Sequence, residues 1–294
     1  MNHPESSHRA ITAKERVVQK TRKIFAHAVL ELLAAFKISI EVDEQTRQNL
    51  VELDQLLLSE SVVIISNHTH AIDMVSVLKF IELMNNMRTG SYLIAQKFAI
   101  PNSERKISHV LLPLFQLGNM LGMKAVPVPQ TTEEKLGNKT DLVREYEHLR
   151  DALLADIGNV LGIMPEGTRG KTDDLSQLKP GGVGNLAVRY QNMNFVPASL
   201  VRIGDSKRFQ LTVGKAKRVK EIVPSIVEDA KYIESLQAQM IQEVDSDKVL
   251  EIKSQIKARL QIIADQFGYE IADLLPENMR GVYGTTVEGV RESE

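Results

Sequence analysis

The chain has no cysteine, which excludes disulfides, a thiol nucleophile and a thiolate metal site and leaves the redox compartment open. Charge of one sign is missing as well. Against 36 Lys plus Arg stand 38 Asp plus Glu, a formal net charge of -2, which argues against a protein that simply coats nucleic acid. A long apolar run is also lacking. The most apolar stretch, Ile24 to Ile40, carries His27, Glu31 and Lys37, whereas a spanning helix needs about 20 mostly apolar residues. The start, Met1-Asn2-His3-Pro4-Glu5, has no charged leader, apolar core or small-residue cleavage site. The expectation is a cytoplasmic protein that does not cross the bilayer. Repeats and low-complexity segments are absent. What is present is ordinary globular material, 294 residues at 43% apolar and 25% charged, enough for one large core with helical additions.

Periodicity divides the chain into three parts: a helical segment over 1–45, an α/β domain over 46–220 and a helical extension over 221–294. In the first, Val18, Phe25, Val29, Leu32 and Phe36 recur at helical spacing. Lys14, Arg16, Lys20, Arg22 and Lys23 crowd the front of that stripe against one acid, Glu15. A basic amphipathic helix suits an anionic lipid surface, and it equally suits packing on its own domain. In the second part, short apolar runs alternate with helical stretches. Strands are expected at Ser61 to Ser66, Tyr92 to Ala95, Lys124 to Val128, Val160 to Met164, Phe195 to Ile203 and Phe209 to Val213. Helices are expected over Asp73 to Asn86, Glu104 to Gly122, Asp141 to Asp156 and near Gly184 to Gln191. Such alternation implies an α/β fold, a central mixed or mostly parallel sheet with flanking helices, and loops leaving the strands' carboxyl ends that carry the chemistry. Beyond Pro224, stripes at Ile233, Leu236, Met240, Val244 and at Ile256, Leu260, Ile263, Phe267 predict a helical appendage. Gly268 is placed like a helix stop.

Two strand ends carry candidate chemistry. The first reads Ser66-Asn67-His68-Thr69-His70-Ala71-Ile72-Asp73. As a metal pair, His68 and His70 would need further ligands, yet no histidine follows His148, and Asp73 comes one position late for H-x-H-x-D-H. As a base and its orienting carboxylate, His68 and Asp73 are separated by four residues, enough for a loop to turn into a helix. A carboxylate on one ring nitrogen fixes the tautomer and leaves the other free to take a proton. A helix cap without chemistry is the third reading. The second strand end reads Pro165-Glu166-Gly167-Thr168-Arg169-Gly170, where a guanidinium and a glycine turn suit a phosphate. Glu166 does not suit direct contact with an anion, and its expected work is to hold a cation or a loop.

Taken together, Asn67-His68-x4-Asp73 and, about 90 residues later, Met164-Pro165-Glu166-Gly167-Thr168-Arg169 resemble the signatures of the glycerolipid acyltransferases, the 1-acyl-glycerol-3-phosphate acyltransferase group above all. Lys97 after a strand, Gly122 to Val128, Lys179 with Gly181, Val196-Pro197-Ala198 and the ending Leu275-Pro276-Glu277-x-x-Arg280-Gly281-Val282-Tyr283 resemble further blocks of that family. The resemblance implies transfer of a fatty acyl group from acyl-CoA or acyl carrier protein to a glycerol hydroxyl, first of all that of 1-acyl-glycerol-3-phosphate. It implies His68 as general base, Asp73 as its partner, and Lys97, Glu166, Gly167, Thr168 and Arg169 as acceptor-binding residues. It also implies no cofactor or metal, and a place on the inner membrane face as a peripheral protein. Met84, Met87, Met120 and Met123 are candidates for an acyl tunnel as well as for ordinary core. Three positions depart from the family: His70 stands in place of a serine, Gln130 in place of an arginine and Gly170 in place of a second serine. The missing guanidinium removes a charge-assisted contact worth about 1.5–3 kcal/mol. A phosphate-free acceptor, glycerol-3-phosphate, or a lipid-binding protein without turnover are the alternatives.

Overall fold

In the computed structural model, which describes residues 12–67, 73–87, 89–95, 123–128, 148, 150–166 and 174–284, the chain is α/β, a mixed sheet with flanking helices. It forms two compact units. One comprises Met1–Ile40, Arg47–Ile64 and Met74–Ile163; the other comprises Glu41–Thr46, Ile65–Asp73 and Met164–Glu294. The expected helix over Glu104 to Gly122 and half of that over Asp141 to Asp156 lie outside the described residues, and 150–155 are helical.

The first unit opens with α1 (Ala13–Ala35). The local sequence Thr12-x-x-Glu15 starts it as a capping box: Glu15 N donates to Thr12 Oγ1 at 3.2 Å, and Thr12 N donates to Glu15 Oε2 at 2.8 Å. Its end is closed by Lys37 at φ 62°, with Lys37 N bonded to Ala34 O and Ile38 N to Leu33 O. Further elements are α2 (Glu44–Leu56), β2 (Val62–Ser66), α3 (Asp73–Leu83), β3 (Thr89–Ala95), β4 (Met123–Val128) and β5 (Asn159–Ile163), after β1 (Ser39–Val42). Hydrogen-bonded neighbours run in the order β2-β5-β3-β4. β3 is parallel to both β4 and β5. Val62 to Ile65 and Val160, Leu161 and Ile163 are buried, as continuous apolar runs in a covered sheet should be. Pro127 sits in β4, outermost of these strands, where a missing amide proton costs no ladder bond on the open side.

β2 and β5 run the same way. Gly158 N donates to Glu60 O at 3.0 Å and Ser61 Oγ donates to Asp156 O, so the entries of these two hydrogen-bonded strands lie side by side. Their carboxyl ends, Ser66 and Ile163, therefore reach the same sheet edge, as does Ala95 at the end of β3. The segments leaving β2 and β5, through Asp73 and from Met164 onward, both belong to the second unit.

In that unit β6 (Asn194–Arg202) pairs antiparallel with β7 (Arg208–Val213) and with the short β8 (Lys217–Arg218). Pro197 falls in the gap between the two ladders. Two short helices, α4 (Asn185–Arg189) and α5 (Val219–Ile222), precede the hairpin α6 (Ile226–Gln242) and α7 (Ser246–Ala272). α6 and α7 bury Ile226, Ala230, Ile233 and Leu236 against Leu260, Ile263, Ala264 and Phe267. Phe267 meets Phe195 of β6 at 4.7 Å between ring centroids. Arg259 holds the buried Asp229 across the hairpin.

Two expectations fail here. Gly268 does not stop a helix, because α7 continues four residues to Ala272. Its role is close approach: a Cβ at this position would lie 2.2 Å from Cζ of the Tyr283 ring. Val244 leaves its stripe and stands 96% exposed, because α6 has already ended at Gln242.

Candidate active site

Asn67 is the first residue beyond β2, and its side chain is fully buried at 0% exposure. A buried primary amide must find both a donor and an acceptor. Asn67 finds them in one residue: Leu200 N donates to Asn67 Oδ1 at 2.9 Å, and Asn67 Nδ2 donates to Leu200 O at 3.1 Å. The carboxamide thus plays the part of one more strand residue for β6 where β2 has ended. It fixes the backbone of the residue immediately before His68. Asp73 is the first residue of α3. The far end of α3 is held in turn by Asp54, whose Oδ1 accepts from Asn85 N and Asn86 N, each at 2.7 Å. Asn67, the residue before His68, is therefore set by buried polar contacts.

The segment leaving β5 is held more elaborately. Glu166 is 3% exposed, and its Oε2 accepts from Ser176 N at 2.9 Å. Pro165 O accepts from Lys179 N at 2.9 Å. A carboxylate reaching across ten residues to a backbone amide is a loop-holding contact, worth about 1.5–3 kcal/mol because one partner is charged. Lys179 and Gly181 lie exposed around the π-helical turn Pro180–Gly184. Gly184 admits α7 there, since a Cβ would stand 2.7 Å from Leu260 O.

The same segment is tied to the C-terminal residues. Leu178 N donates to the Tyr283 hydroxyl at 3.0 Å, and that hydroxyl donates to Asp265 Oδ1 at 2.8 Å. Gln261 Nε2 bonds to Leu178 O at 2.9 Å and to Asp265 Oδ1 at 2.8 Å. Leu175 N donates to Met279 O at 2.9 Å. Burial above all, with the Asp265 carboxylate adding to it, pushes the Tyr283 phenol far up, so it stays a proton donor at every ordinary pH.

Of the sequence-derived site residues, His68, Lys97, Gly167, Thr168 and Arg169 lie outside the described residues, as do His70, Gln130, Gly170 and Met120. Asp73 is described in its backbone and Glu166 in full. Met84 and Met87 are buried, at 3% and 4% exposure. Among the described residues no three His, Asp or Glu side chains converge as a metal would require. Sequence reasoning gave no role to Asn67, Ser176, Gln261, Asp265 or Tyr283. One signal was available: an asparagine directly after a buried apolar strand must place its amide somewhere.

α1 is fastened on the first unit by its polar residues. Arg22 is 7% exposed, and its Nη1 reaches Met87 O at 3.4 Å; burial lowers the pKa of its guanidinium. Lys23 Nζ bonds Asn85 Oδ1 at 2.6 Å, and His27 Nδ1 lies 2.8 Å from Glu82 Oε1. Burial alone would raise the Glu82 carboxyl, but hydrogen bonds and charge from Lys79 and His27 outweigh it and hold the group below the usual carboxylate range. Val17, Ile24 and Leu32 of α1, and Phe36 just beyond its end, are 60–65% exposed. Leu32 and Phe36 thus leave the stripe on which Val18, Phe25 and Val29 are partly covered. Among the described residues no helix is long and apolar enough to cross a membrane.

Compared with known proteins, the chain matches no protein-family model and no curated sequence.

Proposed function

We propose that the protein is an acyltransferase that moves a fatty acyl group from a thioester donor, acyl-CoA or acyl carrier protein, to the free hydroxyl of a glycerolipid, with 1-acyl-glycerol-3-phosphate as the first candidate acceptor. The observation that carries this reading is the parallel pairing of β2 and β5, which brings the exits toward Asn67-His68-x4-Asp73 and Pro165-Glu166-Gly167-Thr168-Arg169 to one sheet edge. Open α/β sheets bind and react at that edge. The buried Asn67 amide supports the reading further, because a general base works only when its approach is fixed.

In this mechanism His68 takes the proton from the acceptor hydroxyl as its oxygen attacks the thioester carbonyl. Asp73 orients the imidazole and balances its charge. The C–O bond forms, the C–S bond breaks, and His68 returns the proton to the leaving thiolate. Lys97, Gly167, Thr168 and Arg169 hold the acceptor phosphate, while Glu166 holds the loop that carries them. The lipid acceptor is met at a membrane surface. The exposed apolar residues Val17, Ile24 and Leu32 of α1 and Phe36 beside it, with the exposed cations Arg16 and Lys20, support binding of α1 in the interface.

The test is a labelled acyl thioester, offered as CoA and as carrier-protein donor, with a panel of lysolipid, glycerol-3-phosphate and phosphate-free acceptors and product identification by mass spectrometry. His68→Ala should lower turnover by about 10²–10⁴-fold with the fold intact. An unchanged rate removes His68 as the base, and a product only from a phosphate-free acceptor removes the proposed substrate.

A further inference from the structure

The hairpin of α6 and α7 extends past its own buried core. Leu236 and Leu260 are its last buried residues toward the turn, and from 237 to 259 every residue is exposed or half-buried. Ser246 to Arg259 is about 21 Å of helix at 1.5 Å per residue. Helices of that length draw most of their stability from packing an apolar face. Yet this stretch keeps Ile241 at 83%, Val244 at 96% and Leu250 at 63% exposure.

Hydrogen bonds fix the turn between the helices. Glu243 Oε1 accepts from Val244 N at 3.1 Å and from Asp245 N at 3.0 Å, and Asp245 Oδ1 caps α7 by accepting from Asp247 N at 2.9 Å. From that fixed start, Asp247, Leu250, Ser254 and Lys257 follow at steps of three, four and three, and all are exposed. Such spacing puts them on one face of the helix. Val249, Ile252 and Ile256, half-buried, fall on the other side by the same spacing. Neither Asp247 nor Lys257 joins an ion pair among the described residues.

The row is its own complement when reversed. Laid antiparallel on an identical row, Asp247 comes opposite Lys257 and the large Leu250 opposite the small Ser254. We propose that this face of α7 is a docking surface for a second copy of the chain, the two helices crossing antiparallel about a two-fold axis midway between Leu250 and Ser254. A two-fold interface must be self-complementary, and charge and size along this row both are. The contact is short, so the dimer belongs to the weak, reversible class. An anionic lipid surface suits the hairpin less well, because Glu243, Asp245, Asp247 and Glu251 outnumber Lys248, Lys253 and Lys257 around the exposed apolar residues. The inference stands apart from the acyltransferase reading.

The experiment is analytical ultracentrifugation of the full chain as wild type, Asp247→Lys, Lys257→Asp, the two exchanges combined, and Leu250→Glu, with folding checked by circular dichroism. The expected wild-type result is a monomer–dimer equilibrium between about 1 and about 200 µM, as a contact of this size implies, weaker in about 0.5 M salt. Each charge exchange alone should weaken the dimer about tenfold, since it turns two attractions into two repulsions. The combined exchange should restore it to within about twofold, and Leu250→Glu should abolish it. A wild type that stays monomeric across the range overturns the proposal. So does a dimer unmoved by either exchange, or one that the combined exchange does not restore. Flotation with phosphatidylcholine vesicles adds the lipid arm: a monomer whose vesicle binding is lost in Leu250→Glu assigns the face to lipid and overturns the second copy. Should an exchange variant fail to fold, Leu250→Glu and the salt dependence decide, and a dimer unchanged by both overturns the proposal.

Discussion

Replacing Asn67 tests how the chain is held where β2 ends. Asn67→Ala removes the two hydrogen bonds that Leu200 N and Leu200 O make with the Asn67 carboxamide, and both residues are buried, at 0% and 1% exposure. A buried backbone group left without its partner costs about 1–3 kcal/mol. Two such groups give about 2–6 kcal/mol, a large share of the ~5–15 kcal/mol that holds a typical domain together. Asn67→Asp is the sharper variant, because it keeps the shape and changes one bond. Its carboxylate still accepts from Leu200 N but faces the Leu200 carbonyl, an acceptor against an acceptor. Burial and that carbonyl raise its folded pKa above the unfolded value of about 3.9. A raised carboxyl pKa costs stability as pH climbs from the unfolded value through the folded one. The deficit relative to wild type should therefore be full near neutrality and shrink on acidification toward about pH 4, where the protonated acid donates to Leu200 O. Urea denaturation of wild type and both variants across that range measures this. A deficit below about 1 kcal/mol for Asn67→Ala, or an Asn67→Asp deficit that does not change with pH, would refute the reasoning.

Two further predictions concern how the helices are held. Gly268→Ala introduces a methyl into space filled by the Tyr283 ring, so the ring must move; overpacking of this kind costs about 1–3 kcal/mol. Thermal unfolding should show it as a lower Tm, and an unchanged Tm would mean the ring is not held against α7. Glu82, bridged to His27 and Lys79, has a folded pKa below its ordinary 4.5. Its contribution is therefore complete above about pH 4.5 and is lost as pH falls through the lower folded value. The difference in Tm between wild type and Glu82→Gln should be largest near neutrality and close under acid, and a difference independent of pH would exclude the bridge.

Element type was legible from the chain because it depends on local periodicity. The apolar run from Ser61 to Ser66 reads as a strand without knowledge of its neighbours, and β2 is Val62–Ser66. Asp73 reads as a helix start because a polar residue opens a 3.6-residue repeat, and α3 begins there. The unanticipated π-helical turn at Pro180–Gly184 has another origin: it forms where α7 presses against Gly184, a contact no local pattern announces.

Sequence by itself determined the α/β class, most strand cores and the two polar segments that follow buried strands, since each of these is written in spacings of a few residues. Tertiary structure alone decided that Asn67 would satisfy its amide on Leu200, 133 positions away, and that Glu166 would grip a backbone amide. It also decided that Gly268 would make room for a ring instead of ending a helix. The physical reason is common to all three. A buried polar group or a missing side chain states that a partner is required, but which partner arrives depends on how distant strands and helices pack.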